Sequence, residues 1–263
     1  MSAPVAVVIP VWDSYVRFLQ EAVASVREQG VEAEIVVVDN ASTESLPALE
    51  GALVVRSDAR LTTGAARNLG LEAVAAPLVV FLDADDLMLP GSLTTLVGGL
   101  RPGDIAFAMA RIEGDTGRRH RAPRRIAYVL ARAPRLFALA NTIWSLVPMQ
   151  GATILRTDVV RAVGGYGDHS RGEEDWAFGA ALAWRGSFRL SRDAGLVYRW
   201  RLDSPGQAGA PLDVRRNARI VRDRIRTDPA VPAVVRALLP IVATGQWLTI
   251  AVVRPLVLAA RGR

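Results

Sequence analysis

The chain opens on an apolar run, Val5 to Val11, and returns to the same pattern at Glu34 to Val38, Leu53 to Val55 and Leu78 to Leu82. These runs are short, rich in β-branched residues and bounded by polar or turn-forming residues, which predicts strands. Between them, Tyr15 to Glu28 and Gly64 to Ala75 place apolar residues at helical spacing. Strands alternating with helices predict a parallel α/β sheet. Near-continuous apolar strands fit burial on both faces by those helices. No basic segment precedes Val5 and no small-residue cleavage site follows it, so this run reads as a first strand and not as a signal peptide.

Residues 104–110 read as another strand and the Arg/Pro-rich stretch 118–125 as a loop. A second block begins at Gln150 with a short strand, continues in a helix from Asp158 and a Gly-Gly-Tyr-Gly turn, and ends in a helix from about Glu173 to Trp184. From Leu238 to Val253 the chain is mostly apolar but interrupted by Pro240, Gly245 and Gln246, and a shorter piece runs on to Ala260. A membrane-spanning helix needs roughly 20 apolar residues, and this run falls short. It reads as a pair of helices with arginine-rich flanks, either docked on the domain or lying in a membrane interface. The expected organisation is an α/β domain over 1–204, with halves 1–110 and 111–204, followed by a basic helical extension over 205–263.

Composition narrows the chemistry. The 263 residues are 51% hydrophobic and 22% charged, a globular composition with ample core. Cysteine is absent, which excludes disulfides, thiolate zinc sites and a cysteine nucleophile. His120 and His169 are the only imidazoles, and no H-E-x-x-H or G-x-S-x-G spacing occurs. All 32 basic side chains are arginines, so neither a Schiff-base lysine nor a Walker A lysine is present. Catalysis here must rest on carboxylates.

Charge is distributed unevenly. Residues 1–110 carry six Arg against fourteen Asp and Glu, and residues 199–263 carry twelve against four. An acidic first half gathers a metal ion; basic later segments suit anionic ligands or an anionic membrane surface, although solvated arginine-rich faces would look the same. Neither basic segment interleaves aromatic residues, so nucleic acid is not an expected partner.

The strongest local signal is Phe81-Leu82-Asp83-Ala84-Asp85-Asp86, three carboxylates at the end of an apolar strand, where open α/β sheets place ligands. Such crowding calls for a cation, and Mg²⁺ or Mn²⁺ held by one or two carboxylates completes its shell with phosphate oxygens. The alternative is an acidic turn in which Asp86 caps the next segment. Asp39 and Asn40 end another strand and offer an acceptor and a donor to the edge of a pyrimidine, or else form an Asx turn. In Thr62-Thr63-Gly64-Ala65-Ala66-Arg67-Asn68, Gly64 and Ala65 would let a ligand approach the backbone and Arg67 would meet the nucleotide. Glu173-Glu174-Asp175-Trp176 supplies either a general base or simple helix capping.

Taken in order, these pieces resemble the family 2 glycosyltransferases, which use the GT-A nucleotide-sugar-binding fold. The matching landmarks are Val8-Ile9-Pro10-Val11, the run to Asp39, Gly64-Ala65-Ala66-Arg67-Asn68-Leu69-Gly70, Asp83-Ala84-Asp85-Asp86, Val163-Gly164-Gly165-Tyr166 and Glu174-Asp175-Trp176, together spanning about residues 4–200. The resemblance implies a nucleoside diphosphate sugar donor bound by Pro10, Val11, Asp39, Asn40, Arg67, Asp83 and Ala84. It implies Mg²⁺ or Mn²⁺ on Asp85 and Asp83, and Asp175 as the base, with Glu174 competing. Two departures bear on specificity. Members often carry two aspartates where this chain has Asp39-Asn40, which leaves uracil and thymine both open. Many carry a Tyr-Arg-x-His pattern near the metal, where this chain has Tyr198-Arg199-Trp200-Arg201, so Arg201 is expected on diphosphate oxygens. Acceptor contacts are expected from Trp144, Gln150 and Trp176.

The reaction expected is inverting sugar transfer to an acceptor hydroxyl on a glycan, a lipid-linked molecule or a small molecule. The rivals are a polyprenyl-phosphate sugar synthase and a non-catalytic nucleotide-binding or membrane-adaptor protein. The expected location is cytoplasmic, peripheral on the inner face of the plasma membrane.

Overall fold

The structure is a computed structural model that describes residues 4–114, 119–120, 125–146, 153–167, 173–199 and 214–248. The described residues form a nine-stranded sheet in which β1 (Val5–Val11) is flanked by β2 (Ala33–Asn40) and β4 (Leu78–Phe81), with β3 (Leu53–Ser57) outside β2. These four strands are mutually parallel. Beyond β4 the order continues through β8 (Thr153–Arg156), β6 (Asp104–Gly114), β9 (Ser187–Tyr198) and β5 (Leu87–Met88), with β7 (Arg119–His120) pairing β6. β8 runs antiparallel to both neighbours, while β6 and β9 are parallel to each other, so six of the nine strands share one direction. The expected mostly parallel sheet is what forms.

Alternation along β1 builds the core. Val5, Val7, Ile9 and Val11 face one layer with α1 (Val16–Arg27) and α3 (Ser92–Gly99), where Leu19, Val23, Leu93 and Leu96 are buried. Ala6 and Val8 face the other layer with α2 (Thr63–Ala73), α6 (Thr157–Ala162) and α7 (Glu173–Ala183). Period-2 side-chain placement thus divides one strand between two clusters, which is why its sequence reads as continuously apolar. Pro10 lies in this central strand without breaking a ladder, because pairing with β4 stops at Val8 and Phe81. The same early stop falls at the carboxyl ends of β1, β2 and β4, where the strand order reverses and open sheets of this kind place their ligand crevice.

Two elements differ from the sequence expectation. β9 is a long strand although Ser187 to Tyr198 shows no clean alternation, and β7 falls in the stretch expected to be a loop. At the C-terminal end, α8 (Val214–Thr227) precedes a helix α9 (Ala233–Leu248) that begins before the apolar run at Leu238 and contains Pro240. Two further helices, α4 (Arg125–Leu130) and α5 (Pro134–Ile143), complete the second half. Among the described residues, no helix is long and apolar enough to cross a membrane.

Candidate active site

Arg67 is the centre of the site. It rises from the first turns of α2, whose N-terminus is capped by the Thr62 hydroxyl accepting from the Ala65 N–H at 3.2 Å. Its side chain is 1% exposed, and the guanidinium donates to Asp83 Oδ1 at 2.7 Å and to Asp175 Oδ1 at 3.2 Å. It also lies 4.9 Å from the Tyr166 ring centroid. Burial opposes its charge, but the Asp83 and Asp175 carboxylates more than offset that and hold the guanidinium charged above its ordinary range. Arg67 therefore joins the acidic strand end after β4 to the first turn of α7. The sequence suggested that Arg67 meets the nucleotide; in the structure its guanidinium is engaged by these two carboxylates.

The α2 face next to Arg67 is fastened to the Gly-Gly-Tyr turn. Asn68 donates from Nδ2 to the Tyr166 carbonyl and accepts from the Tyr166 N–H, both at 2.9 Å. Gly165 has φ of +62°, and a Cβ there would lie 2.2 Å from Asn68 Oδ1. A Cβ on Gly64 would lie 2.3 Å from the Gly167 carbonyl oxygen. The small residue at 64 thus admits this turn, where the sequence reading had it admitting a ligand. Tyr166 is held in turn between Phe81 and Phe178, at centroid separations of 5.0 and 4.1 Å.

Asp83 is 27% exposed at its side chain, Asp85 is half-buried and Asp86 is buried. Burial first, and then the Asp83 and Asp85 charges, push the Asp86 carboxyl well above the usual carboxylate range. Burial and the same acidic group, Asp86 foremost, push Tyr198 up to about 12. Asp86 accepts a long 3.4 Å bond from the Arg199 N–H, so the expected cap is a cross-strand contact and not a local one. The Ala84 methyl is buried in the core, which leaves only its backbone for a ligand.

Around the base end of the crevice, Asp39 is nearly buried and accepts from the Ser42 N–H at 3.0 Å and from Arg56. The Asx turn is thus present, and both carboxylate oxygens are engaged. Asn40 donates to the Leu61 carbonyl at 3.0 Å and accepts from the Leu61 N–H at 2.8 Å, so both ends of its amide staple a loop. Asp13, at φ of +39°, accepts from the Thr43 N–H and hydroxyl, each at 3.0 Å, and from Arg60 at 3.3 Å. The Thr43 N–H and then its hydroxyl hold Asp13 below the usual carboxylate range. Arg60 also stacks 4.3 Å from the Trp12 ring. Pro10 and Val11 are buried at the floor of this region.

Sequence reasoning missed Arg56 and Arg60. A signal for Arg56 existed: in the parallel register of β2 and β3, Arg56 stands opposite Asp39 within otherwise apolar strands.

On the acceptor side the structure corrects one residue. Trp176 is 8% exposed, donates from its indole to the Asn141 carbonyl at 2.7 Å and packs among Ala218, Val221 and Ile225 of α8. Adjacent helical positions diverge by about 100°, so with Asp175 turned to Arg67, Trp176 turns into the core. Trp144 follows α5 and is 38% exposed. Gln150 and Arg201 lie outside the described residues, as does the side chain of Glu174. Among the described residues, no group of three carboxylate or imidazole side chains is arranged to hold a metal by itself.

Comparison with known proteins agrees with this architecture. S. aureus TarS 1-349, solved in complex with UDP-GlcNAc, superposes with a TM-score of 0.70 over 93% of this chain and 72% of that chain, at 16% identity. The same protein in complex with UDP gives a TM-score of 0.67. An uncharacterized protein of Mycobacterium tuberculosis (strain CDC 1551 / Oshkosh) is 32% identical over 120 residues, 42% of this chain. The succinoglycan biosynthesis protein ExoO of Rhizobium meliloti (strain 1021) is 33% identical over 91 residues, 32% of this chain. The match spans 37% and 25% of the length of these two relatives. Residues 6–164, more than half of the sequence, match the model for glycosyl transferase family 2. With the crevice, the acidic strand end and the sheet order all in agreement, the chain belongs to glycosyl transferase family 2.

Proposed function

We propose that this protein transfers a sugar from a UDP- or dTDP-linked donor to an acceptor hydroxyl with inversion, in the synthesis of a cell-surface glycan, a glycolipid or a glycosylated metabolite. The observation that carries this reading is the single buried guanidinium of Arg67 bonded to both Asp83 and Asp175. It sets a carboxylate at the donor's diphosphate end and a second carboxylate, 19% exposed, at a fixed offset from it. Asp175 takes the proton of the acceptor hydroxyl as its oxygen bonds the anomeric carbon, and the electron pair of the breaking bond leaves on the diphosphate. Arg67 aims Asp175 without touching the sugar.

The acidic strand end fits a hard divalent cation. Asp83, 27% exposed, and Asp85, half-buried, would supply oxygen ligands at the end of β4. Asp85 and Asp83 would hold Mg²⁺ or Mn²⁺ jointly with the donor phosphates. When bound, such an ion neutralises charge on the departing diphosphate.

Single-turnover transfer with purified variants, over a panel of nucleoside diphosphate sugars, tests the assignment. Asp175→Asn should retain donor affinity while transfer falls by roughly 10² to 10⁴. Asp85→Ala should lose the Mn²⁺-dependent part of donor binding, read as a thermal shift. Undiminished transfer in Asp175→Asn would point instead to an acceptor that is already ionised, such as a lipid phosphate.

A further inference from the structure

The C-terminal helices carry a surface that sugar transfer does not use. α8 presents Arg215, Arg219 and Arg222 at i, i+4 and i+7, along one side of the helix. Together with Ala243, Thr244 and Gln246 of α9 they line a groove of about 640 Å³, and no acidic side chain is among the residues lining it. Burial, together with the charges of Arg219 and Arg226, lowers Arg222 below its ordinary range against the opposing pull of Asp223. Three guanidinium groups thus share the groove, with Arg222 donating to Gln246 Oε1 across it.

Beside the groove, α9 leaves an apolar face uncovered among the described residues. Val234, Leu238 and Ile241 fall at i, i+4 and i+7 and are 64%, 47% and 68% exposed. Single exposed apolar side chains are ordinary, but three in register on one helix face form a stripe. Ala237 and Gly245 extend it without a charge. Thr244 belongs to both surfaces, exposed at the end of the stripe and lining the groove. Gln246 donates to the Ile143 carbonyl at 2.6 Å, which sets this end of α9 beside the half-exposed Trp144.

We infer that α8 and α9 form a membrane-docking site, in which the arginine groove takes the phosphate headgroups of anionic phospholipid and the Val234, Leu238, Ile241 stripe enters the acyl boundary. An arginine-lined cleft adjoining an apolar helix face matches a surface that is anionic outside and apolar within. This inference stands apart from the transfer reaction, because no residue in it belongs to the crevice.

Flotation of the full chain with vesicles tests it, using phosphatidylcholine alone against equimolar phosphatidylcholine and phosphatidylglycerol. The protein should bind the mixed vesicles only. Arg215→Gln with Arg219→Gln should weaken binding about thirtyfold, since each arginine near an anionic surface contributes about fivefold. Leu238→Ser with Ile241→Ser should abolish the binding that survives high salt. Both double variants lie at the surface, and unchanged melting temperature and donor binding would show that they fold. Equal binding to both vesicle types, full binding by either double variant, or complete displacement by soluble glycerol phosphate would overturn the inference. So would a concentration-dependent dimer that Ile241→Ser dissolves, or loss of binding only on deletion of 249–263.

Discussion

Arg67 is a buried cation offset by two acids on different elements. Arg67→Met would leave Asp83 and Asp175 facing each other without it, and urea unfolding should report a loss of about 3 kcal/mol. Transfer should fall through kcat more than through KM, because the lost contact orients the base rather than the donor. Glycines give the opposite lesson at the same scale. Gly64→Ala would place a methyl 2.3 Å from the Gly167 carbonyl oxygen, a backbone atom and not the end of a flexible side chain, so a cost of about 1–3 kcal/mol is expected. Gly98→Ala in α3 meets nothing within 4 Å and should raise stability by about 0.5–1 kcal/mol. Thermal melts of the two variants should therefore shift in opposite directions.

At the scale of elements, the contact of α7 with α8 decides how the C-terminal region relates to the rest. Val221 and Ile225 are fully buried against Ala177, Ala180 and Trp176. Arg224 donates to the Val163 and Gly165 carbonyls at 2.8 and 2.7 Å, and Arg185 pairs with Asp228 at 2.7 Å. Ile225→Ala should consequently cost about 2–5 kcal/mol in solution, whereas a helix lying wholly in a lipid interface would show no change. Of the two readings open for the tail, docking on the domain is what α8 does, and α9 does so through Leu239. Strands β1, β2 and β4 were legible because burial on both faces makes them apolar throughout. β9 was not, since its Arg189 is recruited by Asp104 at 2.9 Å, a partner 85 residues away that local periodicity cannot register. The site divides likewise. Carboxylates at strand ends announce themselves by position, but which residue faces the crevice is set by contacts distant in sequence. Trp176 reads as an aromatic beside a catalytic acid, and only the packing of α8 makes it core.

For the molecule as a whole, the acidic first half and the basic tail are brought together as a crevice on one side and a cationic groove at the far helices. The loop after β4 is completed by chain made much later. Leu87 and Met88 pair with Val197 and Leu196, the Leu89 N–H reaches the Gly195 carbonyl at 3.0 Å, and Ser92 exchanges bonds with the backbone of Gly195 at 2.8 and 2.9 Å. Asp86 waits for the backbone of Arg199, 113 residues downstream. At ordinary rates of synthesis that interval is about 6–20 s. During translation, then, the acidic turn leaves the ribosome long before its clamp exists, and a nascent chain halted short of β9 carries every landmark carboxylate of the first half without the strand that pairs with β5 beside that turn.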